Sequence, residues 1–355
     1  MDVLFICKYL SGAYGDYNTD SNYDYPNCAY GLWNSAKFMV NFLTSVNISS
    51  ELVTAIDANS IDKLVTENNP KIVVLEALWV TPAKIQELIE LKRHHGRIWI
   101  IRTHSEWPFL SNEGIAIDWI SAYGVLQKKH PSFLYIGCNT EDMSKTIQRF
   151  LNVRTLYLPN VYHPNNPEVL PKNNTVVNNT INIGCFGALR PLKNNLIQAL
   201  AAIKIAETMG YTVNFHINST NIETDVNPTL KNIRALFKTN NKHILTEHEW
   251  ETHSAFVETV STMNFGLQIS FTETFNIVAA DFVWNGVPII GSSAIYWLPE
   301  YCKVRSEVCI EDIVEKSLHC WYTQQHIVLE EKAFLSLYND QASNIWENIL
   351  INLGV

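Results

Sequence analysis

Two separate stretches of this chain alternate short apolar runs with segments of helical spacing, and nothing else constrains its fold as strongly. In the first, Val3 to Tyr9, Lys71 to Leu75, Arg97 to Arg102, Leu134 to Ile136 and Arg154 to Leu158 read as strands. Gly31 to Thr44, Pro82 to His95 and Thr140 to Leu151 read as helices between them. Pro82 suits a first helical turn, where its missing N–H has no intrahelical partner to lose. Strands alternating with helices form βαβ units and a parallel sheet. Residues 158–180, LPNVYHPNNPEVLPKNNTVVNNT, break the pattern with Pro and Asn and read as an interdomain linker. The alternation restarts at Ile181. Strands are expected from there and over Thr212 to Ile217, Phe265 to Ser270 and Val287 to Ile290. Helices are expected over Asn194 to Met209, Thr229 to Lys238, Glu251 to Thr262 and Asn276 to Asn285, with a helical tail from about 326. The predicted organisation is a doubly wound domain over 1–165, a second over 166–325, and C-terminal helices over 326–355 that pack back on the first.

A chain of 355 residues, 47% hydrophobic, has enough apolar surface for two cores. Its 35 acidic against 26 basic side chains give a net charge of -9. That removes the long-range basic field of a passive nucleic-acid binder and leaves room only for a local basic cleft. The seven cysteines, at 7, 28, 138, 185, 302, 309 and 320, stand singly, with no C-x-x-C pair, and read as reduced thiols. VLFICKYL follows no basic segment and reads as a first buried strand, not a leader. No apolar run has bilayer length. The expectation is therefore a cytoplasmic protein, in which the sequons at Asn47, Asn173, Asn178 and Asn218 have no role. The oligomeric state is not set by the sequence.

Three segments carry chemistry. The first is SFTETFNIVAADFVWNGVPIIGS, residues 270–292. A strand end, an acidic turn, a helix start near Thr274 or Asn276, and Gly286-Val287-Pro288 follow in order. Backbone N–H groups at such a helix start point into the crevice at the strand ends, where a diphosphate is the natural guest. Glu273 and Asp281 are eight residues apart, about two helical turns, and are expected on one face, placed to accept hydrogen bonds from sugar hydroxyls. The second is FGALRPLKNNLIQALAAIK, residues 186–204, a glycine turn with Arg190 and Lys193 before a helix. The third is IWIIRTHSEWPFL, residues 98–110, which puts His104 and then Glu106 directly after a buried strand.

These segments resemble family 4 of the GT-B glycosyltransferases. Residues 270–292 resemble that family's E-x7-E motif and the G-x-P turn after it, with Asp in the second acidic place. Residues 186–204 resemble its G-R-L-x-x-x-K-G turn. Lys193 matches the lysine, and the arginine falls on Ala188, so that Arg190 is the candidate substitute; the resemblance implies that these cations neutralise the leaving nucleoside diphosphate. The resemblance is clear over 181–300 and diluted over 1–165. It implies two Rossmann-like domains facing across a cleft, and a retaining, metal-independent transfer of a sugar from a nucleotide-sugar donor to a hydroxyl acceptor. It implies no cofactor and no protein nucleophile. Glu273 would contact the donor sugar and Asp281 the ribose, with Thr274, Phe275, Asn276 and Ile277 along the donor phosphate and sugar. His104 would touch the donor sugar as the second catalytic residue. Gly12, in the loop SGAYG, would lie on the phosphate side, and Tyr14 and Glu106 on the acceptor side. A nucleotide-sugar epimerase of the same fold, or an inactive sugar-nucleotide-binding relative, remains open. So does the acceptor: a glycan, a lipid-linked sugar, a protein or a hydroxylated DNA base.

Other motifs fail on geometry or are missing. HEWETH at 248–253 spaces its histidines five apart, about 140° on a helix, too far for one metal. G-x-G-x-x-G, G-x-x-x-x-G-K-[ST] and G-x-S-x-G do not occur.

Overall fold

The computed structural model describes residues 1–10, 28–171, 176–219 and 227–355. They form two compact units, one of Met1–Asn165 with Asn339–Val355 and one of Asn166–Tyr338.

The first unit holds β1 (Val3–Lys8), α1 (Tyr30–Ser45), β2 (Ser50–Ala55), α2 (Ser60–Asn68), β3 (Ile72–Glu76), α3 (Pro82–Glu90), β4 (Ile98–Thr103), α4 (Trp107–Leu110), α5 (Ala116–Lys129), β5 (Leu134–Cys138), α6 (Glu141–Leu151) and β6 (Thr155–Tyr157). All six strands run parallel in the order β2-β1-β3-β4-β5-β6. β3 and β5 are buried along their whole length, as strands covered by helices on both faces must be. Two helix starts follow from their caps. Thr81 accepts from the Lys84 amide before Pro82, and Thr140 accepts from the Met143 amide. α3 stops at Glu90 and a 3-10 turn over Lys92–His94 replaces the rest of the expected helix. β2, α2 and α5 are elements the sequence pattern did not disclose. The edge strand β2, SELVTA, buries only its last residue fully and so lacks an apolar run.

The second unit holds β7 (Thr180–Gly184), α7 (Asn195–Met209), β8 (Thr212–Asn218), α8 (Pro228–Thr239), β9 (Ile244–His248), α9 (His253–Val260), β10 (Phe265–Gln268), α10 (Ile277–Trp284) and β11 (Ile289–Gly291). Its sheet is parallel in the order β11-β10-β7-β8-β9. Strand order reverses between β7 and β10, so the loops leaving these two strands diverge and open a crevice at the carboxyl edge. Gly184 and Gly266 let α10 approach. A Cβ on either would stand 2.7 Å from the Phe282 ring.

α11 runs from Ile310 to Asn352, starting earlier than the expected 326. It bends at Thr323, whose hydroxyl donates to the His319 carbonyl at 2.7 Å. Its last part belongs to the first unit, as the returning tail requires. There the Asn339 side chain pairs with the Tyr162 backbone in both directions at 2.9 Å, and buried Trp346 donates to the Pro159 carbonyl at 2.7 Å.

Candidate functional site

The switch point of the second unit gathers the loop after β7 and the loop after β10. Two buried glutamines stitch them together. Gln268 donates to the Phe186 carbonyl at 2.9 Å. Gln198 accepts from the Ile269 amide at 2.9 Å and donates to the Lys193 carbonyl at 2.7 Å. The Phe271 amide reaches the Leu192 carbonyl at 2.9 Å. Gly187 has φ +105, a conformation that favours glycine, and its amide donates to Asn218 Oδ1 at 2.9 Å. Among the described residues a Cβ there would meet only Val278, at 4.0 Å, beside the first turn of α10.

Charge collects at that turn. Lys193 ends the short 3-10 turn that Arg190 opens, and its Nζ donates to Glu273 Oε1 at 2.5 Å. Asn276 Nδ2 donates to the same oxygen at 3.0 Å and to Gln268 Oε1 at 2.9 Å. Asn276 Oδ1 accepts from the Ala279 amide at 2.9 Å, capping α10 from a left-handed backbone of φ 66. Glu273 Oε1 is therefore engaged twice, whereas no described residue bonds its Oε2. Ala279 and Ala280 donate to Asn276, and no described residue accepts from the amides of Ile277 and Val278. The arrangement offers one carboxylate oxygen, two amides at a helix start and a nearby ammonium group. It suits a ligand with hydroxyls at one end and anionic oxygens beside them.

Glu273, Lys193, Asn276 and Ile277 thus come together as the sequence suggests. Phe275 is a core residue, 1% exposed, and its carbonyl accepts from Trp297 Nε1 at 2.7 Å. The shared helical face expected for Glu273 and Asp281 does not form. α10 begins only at Ile277, so Glu273 sits in the loop and two-turn arithmetic does not span the pair. The Asp281 side chain is 2% exposed, and its Oδ1 meets His253 Nε2 at 2.7 Å. Burial pulls the His253 pKa down, but the Asp281 charge and hydrogen bond outweigh it and hold the ring above its ordinary value.

In the first unit, the ends of β3, β4 and β5 hold a different cluster. Fully buried Arg102 donates to Glu76 at 3.2 Å, to the carbonyls of Leu158 and Pro159, and to Asn160 Oδ1 at 2.7 Å. Ser35 also donates to Asn160 Oδ1 at 2.6 Å. His104 Nε2 meets Glu76 Oε2, and its Nδ1 accepts from Asn139 Nδ2 at 2.8 Å. Both ring nitrogens are therefore engaged inside the unit. Burial pushes the His104 pKa down against the pull of Glu76. Burial would raise the Glu76 carboxyl, but Arg102 and His104 reverse this and hold it low. Glu106 bonds the Thr140 hydroxyl, and burial raises its carboxyl pKa.

Gly12 and Tyr14 lie outside the described residues. Gln198, Gln268, Asn139, Glu76 and His253 are site residues that the sequence reading missed. Two of them had a visible signal, since Glu76 and Gln268 are polar residues closing strands that are otherwise apolar. Among the described residues no group of three His, Cys, Asp or Glu is placed to hold a metal ion, and no helix is long and apolar enough to cross a membrane.

No family model matches the sequence, and no curated protein matches it. Solved structures do match it. A UDP-forming α,α-trehalose-phosphate synthase from Burkholderia xenovorans aligns over 100% of both chains at 11% identity, with a TM-score of 0.61. An E. coli trehalose-6-phosphate protein bound with UDP-2-fluoro glucose aligns over 99% of both at 11% identity and a TM-score of 0.62. An S. aureus TarM variant in complex with UDP aligns over 82% of this chain and 58% of its own at 12% identity and a TM-score of 0.61. The fold is that of the GT-B glycosyltransferases, two parallel-sheet α/β domains of six and five strands.

Proposed function

We propose that this chain is a retaining glycosyltransferase of the family 4 type, moving a sugar from a nucleotide-sugar to a hydroxyl acceptor. The observation that carries the reading is the junction at the start of α10, where Lys193 and Asn276 hold one oxygen of Glu273 and, among the described residues, nothing claims the other oxygen or the two amides beside it. Glu273 Oε2 would accept from a hydroxyl of the donor sugar. The amides of Ile277 and Val278, with Lys193 and Arg190, would meet the diphosphate as it gains charge on leaving. The bond from the anomeric carbon to the phosphate oxygen breaks, and a bond to the acceptor oxygen forms on the same face. The departing phosphate takes the acceptor's proton. These cations and amides meet the diphosphate charge themselves, so the proposal includes metal independence. Two of the solved neighbours carry UDP or a UDP-sugar, which makes UDP-sugars the first donors to try. In the first unit, Glu106 is the proposed acceptor-side group, its carboxyl lifted by burial. His104 is proposed to touch substrate through its exposed ring edge, since both nitrogens are engaged. Asp281 keeps a place near the nucleoside.

The test is release of nucleoside diphosphate from a panel of nucleotide-sugars, with and without hydroxyl acceptors. Release that needs the acceptor supports transfer. Conversion of the donor to an epimer without acceptor makes the chain an epimerase, and binding without release makes it an inactive relative. Glu273→Ala should lower turnover by about two to three decades while the chain stays folded. Near-wild-type turnover at saturating donor would remove Glu273 from the reaction.

A further inference from the structure

Between Trp119 and Pro167 the only acids are Glu141 and Asp142, although acids outnumber bases 35 to 26 over the whole chain. Two helices of the first unit, α5 and α6, sort the charge of this stretch. Asp118, Glu141 and Asp142 stand in their first turns, and Lys128, Lys129 and Arg149 in their last. The C-terminal ends of the two helices lie side by side. A Cβ on Gly124 would stand 2.3 Å from Val153, and the Gln127 side chain donates to the Arg154 carbonyl at 2.7 Å and accepts from its amide at 2.9 Å. Lys145, a turn further up α6, is paired with Glu141 at 2.8 Å, and Glu90 of α3 faces His130 at 4.0 Å. No described acid pairs with Lys128, Lys129 or Arg149, all of them exposed. Two apolar side chains stand in water among these cations. Val125, 57% exposed, shares a helix face with the two lysines, three and four residues on. Phe150 is 71% exposed, and the Arg149 guanidinium lies 5.3 Å from its ring centroid.

We propose that the paired C-terminal ends of α5 and α6 dock the protein on an anionic lipid membrane. The proposal goes beyond the transferase reading and does not rest on it. Helix dipoles draw cations to these ends, but they give no reason to leave Phe150 and Val125 in water. Cations set around protruding apolar side chains match the boundary of a bilayer. There lysine and arginine meet anionic headgroups, and an aromatic ring enters the edge of the acyl region. A nucleic acid would ask for cations strung along successive phosphates, whereas these cluster about two apolar groups. The net charge of -9 opposes approach to an anionic surface from a distance, so the attachment is short-ranged and salt-sensitive.

The test is co-sedimentation of the full chain with large vesicles. One set is phosphatidylcholine alone, and the other is equal parts phosphatidylcholine and phosphatidylglycerol. The chain should partition onto the charged vesicles, stay off the neutral ones, and come away as salt rises from about 0.05 M to about 0.5 M. Lys128→Gln with Lys129→Gln should lower the partition by about 25-fold, roughly fivefold for each basic residue. Phe150→Ser, which keeps every charge, should lower it by about tenfold. All three sites are exposed, so the melting temperature of each variant should match that of the wild type. A single-stranded oligonucleotide is the competing ligand. Wild type that binds the oligonucleotide but not the charged vesicles would make this a nucleic-acid surface and overturn the proposal. No binding to the charged vesicles at low salt, equal binding to both vesicle types, or full binding by Phe150→Ser and by the lysine pair would also overturn it. None of these results touches the donor site on the second unit, so the transferase reading stands or falls separately.

Discussion

The two units end their central strands in opposite ways. In the first, the polar groups at the ends of β3, β4 and β5 bond one another, with the buried Asn139 Oδ1 left over. Arg102 answers Glu76, two carbonyls and Asn160, while His104 gives one nitrogen to Glu76 and the other to Asn139. In the second, the cluster between β7 and β10 is left half open, with Glu273 Oε2 and two helix amides unclaimed by described residues. A closed buried network makes the unit depend on each member, whereas an open one keeps capacity for a ligand. At these strand ends the first unit engages its polar groups mainly with one another, whereas the second keeps a carboxylate oxygen and two amides that no described residue claims.

The harshest way to break this comparison is to remove one cation from each cluster. Arg102→Met leaves the Glu76 carboxylate, at 0% exposure, with only His104 of the two partners described above and should cost the first unit about 3–5 kcal/mol. Lys193→Met leaves Glu273 with Asn276 and a route to water, and should cost the second unit about 1 kcal/mol. The chain has two units, so one unfolding free energy does not describe it. Hydrogen exchange read separately over β3–β5 and over β7 and β10 would measure each. Equal losses in the two units, or an Arg102→Met loss under about 1 kcal/mol, would end the distinction.

The fold was legible because buried parallel strands are apolar along their whole length, and VLFIC, KIVVL and RIWII say so without help. β9, ILTEH, was not, because it is a half-exposed edge strand with no apolar run. In the site, Glu273 and Lys193 were legible as charges placed where strands end. The partner of Asp281 was not, since His253 lies 28 residues earlier and only the packing of α9 against α10 joins them. Gln198 and Gln268 were silent for a related reason. A buried amide gives no sign in sequence of which backbone groups it will satisfy.

A milder test asks whether saturation without a counter-ion resists acid. At the ends of β8 and β9, His216 Nδ1 meets His248 Nε2 at 2.8 Å, and His216 Nε2 meets Asn182 at 3.2 Å. Burial, then the neighbouring His248, pulls the His216 pKa down to about 4 from 6.5. The unfolded chain therefore takes up the proton first as pH falls. The stability contributed is fully present above about pH 6.5 and is lost on the way down to about pH 4, by at most about 3 kcal/mol. His216→Gln should flatten the acid limb of the second unit. His104→Gln should flatten that of the first unit less, because Glu76 opposes the burial of His104. Melting curves from pH 7 to pH 4, with exchange assigning each loss to its unit, would decide. A His216→Gln chain as acid-sensitive as wild type would show that the imidazole pair does not set the response.

The smallest effect in stability concerns how the open cluster is aimed. Asn276 caps α10, holds φ 66, and uses its Nδ2 to tie Glu273 Oε1 to Gln268. Glycine takes the same backbone without strain and is itself an acceptable cap, so Asn276→Gly should cost only a few tenths of a kcal/mol. Asn276→Ala must also hold a left-handed backbone, which costs roughly 1–2 kcal/mol more. In both variants Glu273 loses the amide on Oε1 and keeps only Lys193, whose flexible stem fixes the carboxylate less well than a planar amide bonded at both ends. Transfer should then fall by about one decade in Asn276→Gly despite near-wild-type stability, less than in Glu273→Ala, because the carboxylate is still present but less well aimed. Melting temperature and turnover at saturating donor, measured on both variants, separate the two roles. If Asn276→Gly keeps wild-type turnover, Lys193 alone aims the carboxylate, and the open oxygen of Glu273 owes nothing to the helix cap.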